Sequence, residues 1–379
     1  MRTLFISFSY LYGNGGGIYA TKAYINAFAQ LSQTLTLLYP AKDNTTIDGL
    51  SDNIIFEPVE DKRTKVSKTI DYILGHIHRF ENISDVFFDP RKYDVVVFNN
   101  STCSHRLIEK FKDVGMKTIT IHHNFQLEYV KADYSFLLRD ITLFWTKQFE
   151  GCSAVKSDLN LTLTLQDSDA IRHYYKSDAP FEVLGVFEFG ERQIEKLTDS
   201  PNNKNRFIIT GGLSDIQTQE SLRLWIRKYY PIFKKIVPTA ILTIAGKSPS
   251  KNLIEIAKNN DIILIPSPLD MRPLLKESDY YICPIDRGGG LKLRNMDGLK
   301  SGLPVLSHEV SVRGYENMVR AKCIYTYHDE KSFADSLTLM MDSDTPKDKI
   351  LTCYNDEFSF HNGVSRLQTI LRKYQFIDC

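Results

Sequence analysis

Short apolar runs alternate with longer stretches of helical period along this chain. LFISF (Leu4–Phe8) precedes a helical pattern from Ile18 to Leu31, and TLTLLY (Thr34–Tyr39) follows it. Next come VVVFN (Val95–Asn99), a helix over Arg106–Val114, TITIH (Thr118–His122), a long helical stretch over Tyr134–Ser153 and LTLTL (Leu161–Leu165). Strand-length apolar runs separated by helices predict parallel strands, covered on both faces and joined by crossovers. The first half therefore reads as one open α/β sheet.

After Pro180 the rhythm loosens. The polar segment Glu191–Asn205, which includes EKLTDSPNNKN, is rich in loop formers and reads as an interdomain linker. Alternation then restarts with RFIIT (Arg206–Thr210), a helix over Gln219–Tyr230, AILTIAG (Ala240–Gly246), IILIP (Ile262–Pro266), YYICPI (Tyr280–Ile285) and PVLS (Pro304–Ser307). A second doubly wound sheet is expected, since 379 residues exceed what one hydrophobic core comfortably serves. In such sheets ligands bind beyond the carboxyl ends of the strands. Two of them facing across a linker make a cleft.

Composition narrows the partners. The net charge is +1, with both signs mixed along the chain, so the electrostatic footprint of a nucleic-acid binder is absent. The six cysteines are scattered with no C-x-x-C pair, which points to a reducing cytoplasm rather than to zinc or a disulfide framework. The polar-interrupted start reads as a buried first strand rather than a signal peptide. No apolar run reaches membrane-spanning length, so any membrane contact is expected to be peripheral. The segment 61–80 is a candidate for it. Ile70, Ile73, Leu74 and Ile77 share one helical face beside Lys62, Arg63, Lys65, Lys68 and Arg79, a pattern that suits an anionic bilayer and equally a helix packed on its own sheet.

Two glycine runs carry the candidate chemistry. Gly13–Asn14–Gly15–Gly16–Gly17 lies between the first strand and the first helix, where bare amides can approach an anion. It does not match G-x-G-x-x-G, and no acidic residue ends the next strand, which argues against a dinucleotide dehydrogenase. A tight strand-to-helix turn would use the same residues. Gly288–Gly289–Gly290 follows YYICPI, and Arg287, Lys292 and Arg294 surround the helix start beyond it. Cations set against a helix dipole suggest a missing anion such as a nucleoside diphosphate, and a solvated basic helix end is the plainer alternative.

PIDRGGGLKLRNMDGLKSGLPVLSHEVSVRG resembles the donor-site signature of GT-B glycosyltransferases of family 4, in a variant with a Gly-rich loop. ILTIAGKSP, IILIPSPLDMRPLLKESDYYICPI, GGGIYATKAY and TITIHHNFQLEY resemble further family segments in the family's order, and 261–314 is the most specific part. The resemblance implies a GT-B fold of two Rossmann-like doubly wound domains: an acceptor-side domain over 1–190, a donor domain over 191–360, and a C-terminal helix, 361–379, returning to the first. It implies a retaining, metal-independent hexosyltransferase without a cofactor. The enzyme would move a sugar from a nucleotide sugar, UDP before GDP, to a saccharide, lipid-linked or glycoconjugate acceptor in bacterial surface polysaccharide assembly. It would work in the cytoplasm, at the inner face of the membrane if segment 61–80 binds lipid.

Position by position, the resemblance assigns Asp297 to the ribose hydroxyls, and Gly15, Gly16 and Gly17 to the diphosphate and sugar. It assigns His123, or its neighbour His122, to the reacting sugar, and Lys292 to the departing phosphate. Gly212, Arg287, Gly289, Gly290, Leu291 and Arg294 complete the donor-binding set. Two plainer readings use the same residues: Asp297 pairs with Arg294 or Lys300 at helical spacing, and the histidine is structural. Departures from the family pattern are equally specific. ITGGLSDIQTQ has Gly212 and Gln217 where the family carries an Arg and a Lys on the diphosphate, and Gly289 stands at the first acid of the usual E-x7-E pair. These losses support a second function, a catalytically degenerate GT-B protein serving as binding subunit or chaperone of a glycosyltransferase complex. A sugar-nucleotide epimerase is the third.

Overall fold

In the computed structural model, each half of the chain has one all-parallel sheet. The structure describes all residues except 10, 13, 14, 42–46, 77–79, 81, 82, 103, 104, 134–138, 191–204, 344 and 379. The first sheet begins with β1 (Arg2–Ser7), α1 (Gly16–Leu31), β2 (Thr34–Pro40), β3 (Ile54–Val59), α2 (Lys65–Ile73) and β4 (Val95–Asn99). It continues through α3 (His105–Asp113), β5 (Lys117–His122), α4 (Gln126–Asp133), α5 (Arg139–Lys156), β6 (Leu159–Thr162), α6 (Leu165–Tyr175) and β7 (Phe181–Val183). Its strand order is β3-β2-β1-β4-β5-β6-β7, so the direction of winding reverses between β1 and β4.

The second sheet contains β8 (Arg206–Gly212), α7 (Ile216–Lys228), α8 (Tyr230–Ile236), β9 (Ile241–Lys247), α9 (Lys251–Asn259), β10 (Ile263–Pro266), α10 (Arg272–Lys276) and β11 (Tyr280–Cys283). Then follow α11 (Arg294–Leu299), β12 (Val305–His308), α12 (Glu316–Arg320), β13 (Ile324–Tyr327), α13 (Glu330–Asp342), α14 (Lys347–Phe358) and α15 (Phe360–Lys373). Its order, β10-β9-β8-β11-β12-β13, reverses between β8 and β11. Both reversal points open a crevice at the strand ends.

Two compact units result, 1–192 with 358–379, and 193–357. In the second, Trp225, Phe233, Phe207, Tyr280 and Tyr327 form an aromatic core between the sheet and α7, α8 and α13. In the first, Phe98 and Phe111 pack with Leu4, Ile6 and Val96.

The expected elements shift in places. β3 has no clear strand signature in the sequence, because most of its side chains are exposed and Pro58 interrupts the run. LTLTL is strand only to Thr162: Thr164 turns the chain, its hydroxyl accepting from the Asp167 amide to cap α6. The long helix is described from Arg139 and continues past the expected end at Ser153 to Lys156. Residues 134–138 lie outside the described set. α2 covers only part of 61–80, capped by Thr64 and ending at Ile73; Ile77 and Arg79 are not described.

α15 closes the first unit. A Cβ on Gly363 would come within 2.1 Å of the buried Phe187 ring, Arg366 donates to the Leu184 carbonyl (2.7 Å), and Lys373 is ion-paired to Glu182 at 2.5 Å. Overpacking of this kind costs about 1–3 kcal/mol. Gly363→Ala is expected to lower the unfolding free energy by about that much in urea titrations.

Candidate functional site

The second unit builds its site from the turn after β8 and the loop after β11. Gly211 has φ +138°, and a Cβ there would lie 2.5 Å from the Arg294 guanidinium carbon. Only glycine lets that cation reach the turn. Arg294 donates through Nη2 to the Gly212 carbonyl (3.1 Å) and the Thr218 hydroxyl (2.6 Å). Its Nη1 is buried without a hydrogen-bond partner. Thr218 is in turn held by Asp215, the N-cap of α7, through both its amide (3.0 Å) and its hydroxyl (2.9 Å).

In the second loop, Gly288 and Gly290 have φ +86° and +71°, conformations that favour glycine. A Cβ on Gly288 would meet the Gln217 side-chain oxygen at 2.6 Å and Lys292 Nζ at 2.9 Å, so both side chains converge on this backbone. Lys292 Nζ also donates to the Gly289 carbonyl at 3.0 Å. Beneath the loop, buried Tyr315 donates to the Lys292 carbonyl (2.9 Å), Asn295 to the Ser311 carbonyl (2.6 Å), and Ser311 to the Ile285 carbonyl (2.6 Å). Gly289 and Leu291 are half-buried, and Gly290 is buried.

The three cations are not equivalent. Arg287 is engaged by Asp286 at 2.9 Å and by Glu220 at 2.5 Å. Burial raises the Asp286 carboxyl, and hydrogen bonds from Arg287 and Ser221 outweigh it, leaving the group below its usual range. Arg287 therefore braces the loop. Among the described residues no carboxylate is paired with Arg294, whose guanidinium lies at the β8 turn. α11 has only six residues and no side-chain cap, so its dipole opposes these cations weakly. Asp297, on α11, has its carboxylate 2.8 Å from Lys300 and accepts from the Thr210 hydroxyl at 3.4 Å. The pairing considered from sequence is present, and 36% of the Asp297 side chain stays exposed.

In the first unit Gly15, Gly16 and Gly17 are exposed at the start of α1, where Gly15 is the N-cap and no side chain caps the helix. Gly13 and Asn14 lie outside the described residues. A continuous polar chain links this turn to the histidines. Thr21 donates to the Gly17 carbonyl (2.8 Å), Asn99 donates to Thr21 (2.8 Å), and His123 Nε2 meets the Asn99 side-chain oxygen at 2.9 Å. Because Asn99 must accept there, Nε2 carries the proton and Nδ1 the lone pair. His122 points elsewhere. It is fully buried, bonds to Asn160 at 2.9 Å, and leaves Nδ1 without a partner.

The segment beyond these histidines is clamped by two buried acids. Asp167 accepts from the Phe125 amide (3.1 Å). Glu150 accepts from the amides of Gln126 (2.7 Å) and Leu127 (3.1 Å), and from the hydroxyls of Tyr175 and Ser101. Asn99 closes the strand VVVFN, a placement by which the sequence could have named it, whereas Glu150 stands in a mixed face with Thr146 and Ser153 and carries no such signal.

Residues 192–343 match the family model described as Glycosyl transferases group 1. A curated relative, an uncharacterized 44.6 kDa protein in the cps region of Klebsiella pneumoniae, is 24% identical over 238 residues. The chain covers 59% of that relative's length, and the match takes in 59% of this chain. Solved structures agree over nearly the whole length. Sucrose-phosphate synthase from Thermosynechococcus elongatus superposes with a TM-score of 0.71 at 11% identity, covering 99% of both chains. A glycosyltransferase from Rickettsia africae has a TM-score of 0.67 at 11% identity, again over 99% of both. The Anabaena protein HepE, solved in complex with UDP, has 0.66 at 12% identity over 98% of this chain and 100% of its own. The fold class is GT-B. As in the GT-B class generally, each Rossmann-like sheet presents its loops at the carboxyl ends of its strands, where both glycine turns lie.

Burial lowers both His122 and His123 to about 4, and raises Glu150 to about 7 against the four donors that favour its ionised form. Unfolding releases the histidines to their ordinary value of 6.5, so stability is lost as pH falls from 6.5 through about 4. Glu150 acts in the opposite direction, favouring the fold as pH falls from about 7 to 4.5. Replacing Glu150 with Gln should therefore steepen the loss of unfolding free energy on acidification across that window, measured by urea titration at several pH values.

Proposed function

We propose that the chain is a retaining glycosyltransferase that takes a nucleotide sugar, a UDP-sugar before a GDP-sugar, and moves its sugar to a saccharide, lipid-linked or glycoconjugate acceptor. The observation that carries the proposal is Arg294. Its guanidinium enters the turn after β8 from α11, with Nη1 buried and unpartnered, next to the Gly211–Gly212 backbone. A diphosphate at the turn would receive charge-assisted hydrogen bonds from this side chain and from Lys292. The cation missing after β8 in sequence is thereby supplied from another element. UDP is favoured because a structural neighbour was solved with it. The curated relative's cps region favours surface polysaccharide as the setting, with the protein in the cytoplasm where nucleotide sugars are available.

In this mechanism the bond between the sugar C1 and the phosphate oxygen breaks while the acceptor hydroxyl oxygen bonds to C1 from the same face. The acceptor proton passes to the leaving phosphate. Fixed cations and amides on the phosphates are then the useful groups, and neither a covalent carboxylate nor a metal is required. His123, neutral at physiological pH, accepts a hydrogen bond from a sugar hydroxyl at Nδ1 and does not serve as a cation. Asp297 receives the ribose hydroxyls, and the exposed amides at Gly15–Gly17 serve the sugar side.

Calorimetric titration and donor turnover test this together. UDP should bind the wild-type chain, and Arg294→Ala should weaken it about 10- to 100-fold, the worth of one or two charge-assisted hydrogen bonds. Lys292→Ala should cut transfer much more than it changes the melting temperature. The preference for UDP over 2′-deoxy-UDP should vanish in Asp297→Ala. Binding without turnover on any acceptor would transfer the assignment to a non-catalytic subunit, and an isomeric nucleotide sugar as product to an epimerase.

A further inference from the structure

Glu150 stands where two strand ends meet. It is fully buried on α5, and each of its carboxylate oxygens takes two donors. Oε1 accepts from the Gln126 amide (2.7 Å) and the Ser101 hydroxyl (3.2 Å), and Oε2 from the Leu127 amide (3.1 Å) and the Tyr175 hydroxyl (3.0 Å). Ser101 follows Asn99 just past the end of β4, and Gln126 and Leu127 follow His123 just past the end of β5. One turn further along α5, Ser153 donates to the Ser101 carbonyl at 2.9 Å, so the same helix holds that residue by its backbone as well. The carboxylate therefore ties together the two segments that carry the Asn99–His123 hydrogen bond. Asp167, the other buried acid, reaches only the β5 side, at the Phe125 amide.

The donor set explains why an acid is needed. All four partners donate, and among the described residues no cation is paired with Glu150. An ionised carboxylate can accept on both of its oxygens at once. A glutamine of the same shape cannot. Whichever way its amide turns, the NH2 group meets a backbone N–H, that of Gln126 or that of Leu127. Hydroxyls rotate to suit such a change, and backbone amides do not. Keeping the acid here has a cost, since burial raises its carboxyl to about 7. Filling the space between helix and loops would not need a charge. Orientation of the two loops does.

We infer that Glu150 is a positioning residue for His123: by holding the ends of β4 and β5 together it sets the Asn99–His123 hydrogen bond, and with it the imidazole tautomer. Its consequence for sugar transfer rests on the proposed function, whereas its effect on the imidazole does not, so the two can fail separately. The test is long-range 1H–15N NMR of the histidine-labelled full chain at about pH 8, where the carboxyl is ionised, with His122→Gln and His123→Gln as assignments. In the wild type both imidazoles should carry one proton, on Nε2. Glu150→Gln should move the two His123 nitrogen shifts toward each other as tautomers exchange, while His122, held by Asn160, keeps its values. Ser101→Ala leaves both amide bonds in place; it should give the same change at smaller amplitude, and it decides the matter if the glutamine variant does not fold. Transfer should fall about 10- to 100-fold in Glu150→Gln with UDP affinity unchanged. Unaltered His123 signals in the folded variants, or equal movement of His122 and His123, overturn the inference. A wild type that neither binds UDP nor transfers sugar counts against the proposed function alone and leaves the NMR outcome standing.

Discussion

The contact of the Arg294 guanidinium with the backbone of Gly211 is the constraint around which the second unit's site is arranged. It requires a residue without Cβ in an unusual backbone conformation. It also requires Gly246 on the neighbouring strand, where a Cβ would fall 1.8 Å from the Gly211 carbonyl oxygen. Thr218 and its capping acid Asp215 fix the other side of the guanidinium. A cation held at a strand-to-helix turn by neutral acceptors keeps its charge available to a ligand. Arg287, surrounded by carboxylates, does not.

The first unit solves a different problem, holding neutral histidines in fixed orientation. Burial keeps both imidazoles uncharged, and hydrogen bonds to the side-chain oxygens of Asn99 and Asn160 determine which nitrogen carries the proton. His122 is directed into the core while His123 joins a chain leading to the first glycine turn. That division follows from strand alternation, since successive side chains at a strand end leave on opposite faces. Glu150 and Asp167 then secure the amides that follow, replacing secondary-structure partners that this segment lacks.

Much of this was legible in the sequence and some of it was not, for identifiable reasons. The two sheets follow from uninterrupted apolar runs such as VVVFN and RFIIT, which have no other stable location than a covered parallel strand. β3 is not legible in this way, because its exposed edge gives no such run. The second glycine loop was visible as a composition, and its relation to Asp297 only through resemblance. Which cation faces the turn was not legible. Arg287, Lys292 and Arg294 look alike in sequence, and Glu220, 67 residues from Arg287, is the partner that separates them. Glu150 was hidden for a related reason. A lone acid in a helical stretch is ordinarily solvent-facing, and only the arrival of the Gln126 and Leu127 amides makes it a buried acceptor.

The central claim is that the turn after β8 and the loop after β11 jointly hold a nucleoside diphosphate. Amide hydrogen exchange of the full chain, with and without saturating UDP, tests it most directly because it reports where a ligand sits without needing an acceptor. The account predicts slowed exchange over 211–218 and 286–297, lost in Arg294→Ala. Unchanged exchange in both segments, or protection confined to other parts of the chain, would contradict it.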